Sequence, residues 1–347
     1  MKKRSLARRL TYSLIAFAIF AGLTLGLAEI ATRHFYHPSP HFQTADLDPE
    51  LGWRPHPHWS VNQTVQNHRG GTYQAEYRTT RDGFREFGSP KADRPKVLFI
   101  GDSFTQAAEV SNEKTFYRLL QDSLEFELFA FGQSVYGTLQ EYLILDQYID
   151  EIQPDLLVWQ TCENDFIDNH LALEKESRYN ARLRRPYLGL DGQIRQDQPS
   201  GVPVWLRRSR FLSYLDLQLH VRWVQRTIAR KRIAERLIAE QGRAYDRFDE
   251  AIRISSKIAK KIVERVPEKT RVIAFATTIY QPQLNEMEAL FQQAGIPFFC
   301  EPAFAVDCAV QEKKNVLVVD QVHWNEAGHR LVASTLRPIV AGYLSFK

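Results

Sequence analysis

Short apolar runs alternate with amphipathic segments from Lys96 onward, and this alternation constrains the fold more than any other feature. The runs are KVLFIGDS, FELFAFGQ, DLLVWQTC, RVIAFATT and IPFFCEP, with segments of helical spacing between them. Continuous apolar strands that alternate with helices indicate a parallel sheet covered by helices on both faces. The pattern therefore predicts an α/β fold.

The first of these runs ends by presenting a hydroxyl group. Val97–Ile100 is followed by Gly101, Asp102 and Ser103. In open parallel sheets, functional groups gather just beyond the carboxyl ends of the strands. Ser103 is therefore a candidate nucleophile, although a serine in this place is often only a helix cap.

A candidate base lies far along the chain, in DQVHWNEAGH. Asp320 and His323 are three positions apart, directly before a helical segment. In a turn, this spacing lets the carboxylate hold one imidazole nitrogen and leaves the other nitrogen free as a general base. The alternative, an aspartate that caps the helix beside an idle histidine, is less favoured once Ser103 is considered with them.

Four blocks together resemble the SGNH (GDSL-type) hydrolases. They are GDSFT, FGQSVYGT, CENDF and DQVHWNEAGH, in the order and spacing of that family. The upstream segments LGWRPHP and RTTRDGFRE resemble membrane-anchored bacterial members. The resemblance covers the chain from about Lys96 onward, apart from a basic insertion. It implies a flavodoxin-like three-layer α/β/α fold with a five-stranded parallel sheet.

The resemblance also implies a role for each matching residue. Ser103 would be the nucleophile, His323 the base and Asp320 the acid that orients it. The backbone amides of Ser103 and Gly132 and the side-chain amide of Asn164 would form the oxyanion hole, where preorganised donors meet the developing negative charge. Neither a cofactor nor a metal is expected.

Two positions depart from the family pattern. Cys162 and Val135 stand where relatives usually have glycine. Neither departure removes a catalytic atom, but both affect the shape of the pocket. We interpret Asp102 and Asp165 as structural groups that hold the loops of Ser103 and Asn164, and His329 as non-catalytic.

The N-terminus predicts a membrane anchor. A basic cluster, MKKRSLARR, precedes a segment without charge from Leu10 to Ala28. An apolar run of about 20 residues can span a bilayer, and the basic cluster would keep the N-terminus in the cytoplasm. The expected location is the bacterial inner membrane, with one span and the catalytic part in the periplasm. A cleaved signal peptide is the alternative, since Gly26 and Ala28 are small enough for processing.

Three regions follow from this organisation. Residues 1–33 form the basic tail and anchor, residues 34–95 an extension with a hairpin or edge strands in TYQAEYRTTRDGFRE, and residues 96–347 the hydrolase domain. A basic helical insertion interrupts that domain at about 166–243, and it includes one long helix, LQLHVRWVQRTIARKRIAERLIAEQ. This helix is interpreted as a solvated lid, with contact to anionic lipid or an acidic polymer as the alternative.

Pro338 is expected to kink or split the last helix.

Charge and motif content argue against two functional classes, nucleic-acid binding and dinucleotide binding. The net charge of +4 is too small and too uneven to indicate nucleic-acid binding. The first strand also lacks the glycine fingerprint of dinucleotide-binding proteins.

Cys300 and Cys308 are close enough in sequence to form a disulfide in an oxidising compartment, with two separate thiols as the equal alternative. Cys162 is expected to be a buried thiol.

The predicted function is that of a serine esterase acting outside the cytoplasm. Its expected substrate is an acylated glycan or lipid of the cell envelope, deacylated through an acyl-enzyme on Ser103. Two alternatives remain: an O-acyltransferase with the same triad, and a non-catalytic module that binds an envelope polymer. The sequence predicts no oligomeric state.

Overall fold

The apolar runs form the main sheet in the larger of two compact units. The computed structural model describes residues 2–35, 45–178, 183–197, 209–229 and 233–345. The smaller unit comprises Met1–Gln43 and Ser200–Lys231, and the larger comprises Thr44–Pro199 and Arg232–Lys347.

Strands and helices are numbered along the chain. The strands are β1 (Ala45–Asp48), β2 (Gly52–Pro55), β3 (Ser60–Gln66), β4 (Thr72–Arg78), β5 (Glu86–Phe87), β6 (Lys96–Gly101), β7 (Glu127–Gly132), β8 (Leu156–Thr161), β9 (Arg185–Leu188), β10 (Ile194–Asp197), β11 (Arg271–Ala276) and β12 (Phe298–Phe299). The helices are α1 (Lys2–Phe35), α2 (Ser103–Gln106), α3 (Phe116–Ser123), α4 (Thr138–Ile152), α5 (Asp165–Asp168), α6 (Leu171–Glu176), α7 (Arg210–Ala229), α8 (Ala234–Gln241), α9 (Asp246–Arg265), α10 (Gln283–Ala294), α11 (Glu301–Gln311) and α12 (Glu326–Ser345).

The main sheet has the order β12-β11-β8-β6-β7-β5. The first five strands in this order pair in parallel, which confirms the predicted parallel sheet. Counted along the chain, these strands follow the 2-1-3-4-5 order of doubly wound flavodoxin-like folds. The sixth strand, β5, is a two-residue addition that pairs antiparallel with β7 at the edge.

Two apolar cores cover the two faces of this sheet and confirm the three-layer arrangement. On β6, Leu98 and Ile100 join one core with side chains from α4, α9 and α10. Val97 and Phe99 of the same strand join the other core with side chains from α3, α11 and α12. Because successive side chains of a strand point to opposite faces, one apolar strand can serve both cores.

Residues 72–86 do not form a hairpin with one another. Their two strands, β4 and β5, pair with different partners. β4 pairs antiparallel with β3, which precedes it, and β5 joins the main sheet instead. Between β4 and β5 the chain turns at Arg81–Gly83, where Asp82 has a φ of 56° and Gly83 a φ of 85°. The turn thus carries the chain from one sheet to another.

The insertion contains no strand of the main sheet among its described residues, as expected, but its long helix is interrupted. α7 ends at Ala229 and α8 begins at Ala234, with Ile233 in an extended conformation (φ −91°, ψ 148°) as the N-cap of α8. The prediction of one continuous helix was therefore wrong. A small hairpin, β9 with β10, precedes these helices.

The smaller unit is built from α1 and α7. Within α1, Arg8–Phe35 is long and apolar enough to cross a membrane by length and composition, with a mean hydropathy of 2.1 over its 18-residue apolar window. The same properties suit a membrane anchor or a signal sequence. The Glu29 carboxylate accepts hydrogen bonds from the Ser209 hydroxyl at 2.7 Å and from the backbone amides of Arg210 and Phe211 at 3.1 and 3.0 Å. The first turn of α7 thus takes its cap from α1.

Cys300 and Cys308 do not form a disulfide, so the alternative of two separate thiols is the one found. All three cysteines are free thiols. Cys300 is the N-cap of α11 and Cys308 lies within that helix. Eight residues of helix rise about 12 Å, whereas disulfide-bonded Cα atoms lie less than about 7 Å apart.

The last helix, α12, runs from Glu326 to Ser345 as a single element that contains Pro338. Of the two expectations, a kink or a split at Pro338, the split does not occur.

Candidate active site

The chain turns sharply after β6 and presents Ser103 at the start of α2. Asp102 is the N-cap of this short helix, and its Oδ1 accepts a hydrogen bond from the Phe104 amide at 3.0 Å. Gly101 is required here because a Cβ atom would overlap the side chains of Gln160 and Thr105. The strand therefore ends in glycine so that the turn can pack tightly against its neighbour.

Gln160, from the adjacent strand β8, fixes this turn. Its Oε1 accepts hydrogen bonds from the Asp102 amide at 3.0 Å, the Thr105 amide at 3.2 Å and the Thr105 hydroxyl at 2.9 Å. Gln160 and Thr105 are buried. One side-chain oxygen thus holds the backbone on both sides of Ser103.

Ser103, His323 and Asp320 come together, although the serine and the histidine are 220 positions apart. The Ser103 Oγ lies 2.8 Å from His323 Nε2, and His323 Nδ1 lies 2.6 Å from Asp320 Oδ2. The other oxygen of Asp320 accepts hydrogen bonds from the Val322 and His323 amides at 2.8 and 3.0 Å. The short turn therefore holds the carboxylate rigidly against the ring. This arrangement can move a proton from the hydroxyl to the imidazole.

The charges of His323 and Asp320 shift each other's pKa in the direction that favours the ionised forms. Burial disfavours the charged His323 ring, but the negative charge of Glu109 and the hydrogen bond with Asp320 prevail and raise the pKa of His323 to about 9. Partial burial disfavours ionised Asp320, yet its hydrogen bond with His323 and the charge of that ring lower its pKa to about 2. The carboxylate is thus poised to stabilise an imidazolium.

Glu109 is a further carboxylate at this ring. Its Oε1 lies 3.9 Å from His323 Nδ1, and its side chain is 10% exposed. Glu109, Asp320 and His323 also place one potential metal-ligand atom each within 4.8 Å of one another. However, both ring nitrogens of His323 are already engaged, Nδ1 with Asp320 and Nε2 with Ser103, in an arrangement that suits proton transfer.

Asn164 and Gly132 lie at the carboxyl ends of the strands that flank β6. Asn164 follows β8, and its Nδ2 donates a hydrogen bond to Asp168 Oδ2 at 2.6 Å. Gly132 ends β7 in register with Gly101. A Cβ atom on Gly132 would overlap the backbone of α2, lying 2.5 Å from the Thr105 carbonyl carbon and 2.7 Å from the Asp102 oxygen. Gly132 therefore has a packing role that the sequence did not reveal.

Val135 adopts a backbone conformation that favours glycine. Its φ is 63°, in the left-handed region, where a β-branched residue is strained. It is one of the two positions, with Cys162, at which the family resemblance leads us to expect glycine. The loop retains the glycine-like conformation although it carries a valine.

The remaining polar groups near the site are structural. Burial raises the pKa of Asp102 to about 6, and Asp165 Oδ2 accepts a hydrogen bond from the Cys162 amide at 3.0 Å. Burial raises the pKa of the Cys162 thiol well above its usual range, so it is a poor nucleophile. Burial lowers the pKa of His329 to about 3, and its Nδ1 accepts from the Phe116 amide at 3.2 Å.

Several residues of this region were not found from the sequence. Asp168 had a local signal, since it lies four positions after Asn164 in helical spacing. Gln160, Glu109 and Arg185 had none, because their contacts join segments that are distant along the chain.

Comparisons with known proteins identify the family of the chain. The family model described as GDSL-like Lipase/Acylhydrolase matches residues 97–336. Among solved structures, the chain is similar to TesA, with 13% identity, a TM-score of 0.41 and coverage of 72% of this chain and 99% of that one. It is also similar to the esterase EstA from Pseudoalteromonas sp., with 12% identity, a TM-score of 0.40 and coverage of 72% and 98%. The acetyl xylan esterase AlAXEase has 16% identity, a TM-score of 0.36 and coverage of 71% and 99%. No curated protein sequence matches the chain.

Proposed function

This chain belongs to the GDSL-like lipase/acylhydrolase family of ester hydrolases, and from that premise we propose that it deacylates an acylated glycan or lipid of the cell envelope through an acyl-enzyme on Ser103. The observation that carries the proposal is the continuous contact from the Ser103 hydroxyl through both nitrogens of His323 to Asp320.

In the first half of the reaction, the Ser103 oxygen attacks the ester carbonyl carbon while its proton passes to His323 Nε2. Asp320 stabilises the imidazolium that forms. The tetrahedral intermediate then collapses, the carbon–oxygen bond to the alcohol breaks, and the leaving alkoxide takes the proton from His323. The alcohol departs and the acyl group remains on Ser103.

In the second half, water replaces the alcohol. His323 accepts a proton from water as its oxygen attacks the acyl carbon, and the second tetrahedral intermediate expels the Ser103 oxygen, which regains the proton. The free acid leaves and the resting site is restored. No other reactant is needed.

The negative charge of each intermediate requires hydrogen-bond donors. We assign this role to the backbone amides of Ser103 and Gly132 and to the side-chain amide of Asn164. Support for Asn164 comes from its hydrogen bond to Asp168, which fixes its amide group at the end of β8. Preorganised donors of this kind contribute about 3–4 kcal/mol each in the transition state.

An extracytoplasmic substrate follows from the N-terminal helix. We assign Arg8–Phe35 as a retained anchor, because its apolar stretch is longer than the 7–15 residues, roughly, of a signal-peptide core. On the positive-inside rule, we propose that the basic residues near its start keep the N-terminus in the cytoplasm of a bacterial cell, with the hydrolase in the periplasm. This location makes acylated envelope glycans and lipids the proposed substrate class.

The test is made on the full chain purified in detergent. Ser103→Ala should abolish release of p-nitrophenol from p-nitrophenyl acetate, whereas Ser123→Ala, an exposed serine of α3, should leave the rate unchanged. Incubation with acylated envelope glycans and lipids, followed by intact-protein mass spectrometry, should show an acyl adduct that is absent from Ser103→Ala. Hydrolysis by a folded Ser103→Ala protein would remove the serine from the mechanism.

A further inference from the structure

We infer that Asp168 and Arg185 are positioning residues that aim the side-chain amide of Asn164, an inference that rests on the proposed oxyanion role of Asn164. They lie behind the site and are not expected to touch the substrate.

The first contact is between Asn164 and Asp168. The distance of 2.6 Å from Asn164 Nδ2 to Asp168 Oδ2 is short for a hydrogen bond between nitrogen and oxygen. The Asp168 oxygen accepts this hydrogen bond, so it selects the nitrogen of the Asn164 amide and sets the plane of that group. One of the two amide hydrogens is thereby held, and the other keeps a defined direction.

The second contact is between Asp168 and Arg185. Arg185 Nη1 lies 3.2 Å from Asp168 Oδ1, and both side chains are buried. Burial raises the pKa of Asp168 to about 8, and the positive charge of Arg185 is the largest influence that opposes this rise. Without Arg185, the pKa of Asp168 would rise further, which favours the protonated form that cannot accept at both oxygens.

Arg185 is itself held on several sides. Its Nη1 lies 3.3 Å from Glu174 Oε1, and its Nη2 donates to Gln140 Oε1 at 2.5 Å. The guanidinium carbon lies 5.3 Å from the centre of the Trp53 ring, in a cation–π contact. Its direction toward Asp168 is therefore fixed by neighbours from α6, α4 and β2.

These neighbours come from segments outside the five-stranded core. Trp53 belongs to the extension before the hydrolase domain, and Arg185 begins β9 in the insertion. The two segments pack closely, since a Cβ atom on Gly52 would overlap the Arg184 carbonyl oxygen. The Trp53 indole also donates to the Ser134 carbonyl at 3.3 Å, in the loop that follows Gly132. The accessory segments thus support both sides of the proposed oxyanion hole.

A double-mutant cycle on the full chain tests the inference. Asn164→Ala should lower kcat on the order of 100-fold. Asp168→Asn should lower kcat about tenfold or more with KM nearly unchanged, because one amide cannot accept from both Asn164 and Arg185. In the double variant, kcat should equal that of Asn164→Ala within about twofold, since groups that act through one another are not additive.

Arg185→Met should reproduce the loss in kcat, whereas Arg184→Met, which removes an exposed charge one position earlier, should not. Circular dichroism and thermal melting establish that each variant is folded. If Arg185→Met does not fold, the cycle with the isosteric Asp168→Asn still decides the question.

The possible failures are distinct. If folded Asn164→Ala keeps its full kcat, the proposed oxyanion role of Asn164 is wrong. If Asn164→Ala is impaired and Asp168→Asn lowers kcat further by the same factor in both backgrounds, Asp168 acts independently of Asn164 and the inference is overturned. An unchanged kcat for Asp168→Asn alone overturns it as well.

Discussion

The carboxylate of Glu109 lies 3.9 Å from His323 Nδ1, the same nitrogen that bonds to Asp320. Glu109 stands on a loop held by buried Arg85, which donates to the carbonyls of Ala107 and Val110 at 2.8 and 3.1 Å. The imidazole therefore faces two carboxylates at one nitrogen, with Asp102 as a further negative group nearby.

We expect Glu109→Gln to lower the pKa of His323. The negative charge of Glu109 helps to raise this pKa to about 9, and the general base must be neutral to accept a proton. Activity should rise with pH along a limb set by His323, and the variant should shift that limb to lower pH. At a pH below the wild-type limb, the variant should therefore show a larger fraction of its own maximal activity than the wild-type protein shows of its maximum. The pH profile of kcat/KM measures the shift.

Glu113→Gln provides the control for this shift. Glu113 is four positions away and exposed, and it forms an ion pair with Arg78. Its removal should leave the limb in place. A limb that stays at the wild-type pH in Glu109→Gln would show that the nearby charge does not act on the base.

Asp320→Ala should lower kcat on the order of 10⁴-fold, as the loss of the orienting acid does in triads of this kind. Glu109 remains near Nδ1 in this variant and should support a residual rate. Asp320→Ala combined with Glu109→Gln should therefore be slower than Asp320→Ala alone, measured by release of p-nitrophenol. Equal rates would mean that Glu109 cannot substitute for Asp320.

Gly132→Ala should destabilise the protein by about 1–3 kcal/mol, the usual effect of overpacking. The added Cβ would overlap the backbone of α2, which cannot move without disturbing Ser103. Gly342→Ala is the matched control, because a Cβ there meets nothing within 4 Å and alanine favours a helix. Thermal unfolding compares the two variants. A melting temperature of Gly132→Ala at or above that of Gly342→Ala would contradict the packing role.

The cysteines should react as three separate thiols. Without reductant, iodoacetamide should label exposed Cys308 first and Cys300 slowly, since burial raises the pKa of Cys300 to about 11. Cys162 is buried and should react only after unfolding, which should bring the total to three labels. Intact-protein mass spectrometry counts them. A single label after unfolding would indicate a disulfide.

The sequence predicts features whose signals are local. The parallel sheet follows from apolar strands alternating with helices, and the triad candidates stand in short motifs directly after a strand or before a helix. The break at Ile233 had no such signal, because the flanking residues favour a helix on both sides. Arg185 was hidden as well, since its role exists only where the insertion, the extension and α5 meet. Cys300 and Cys308 appeared close in sequence, but helix α11 separates them.

Both margins of the main sheet end in strands of only two residues, Glu86–Phe87 and Phe298–Phe299. A long exposed edge strand offers unpaired backbone N–H and C=O groups to neighbouring molecules and promotes aggregation. Here each edge strand is too short to pair stably with a strand of another molecule. The main sheet is therefore protected from joining edge to edge with the same sheet in another copy of the protein.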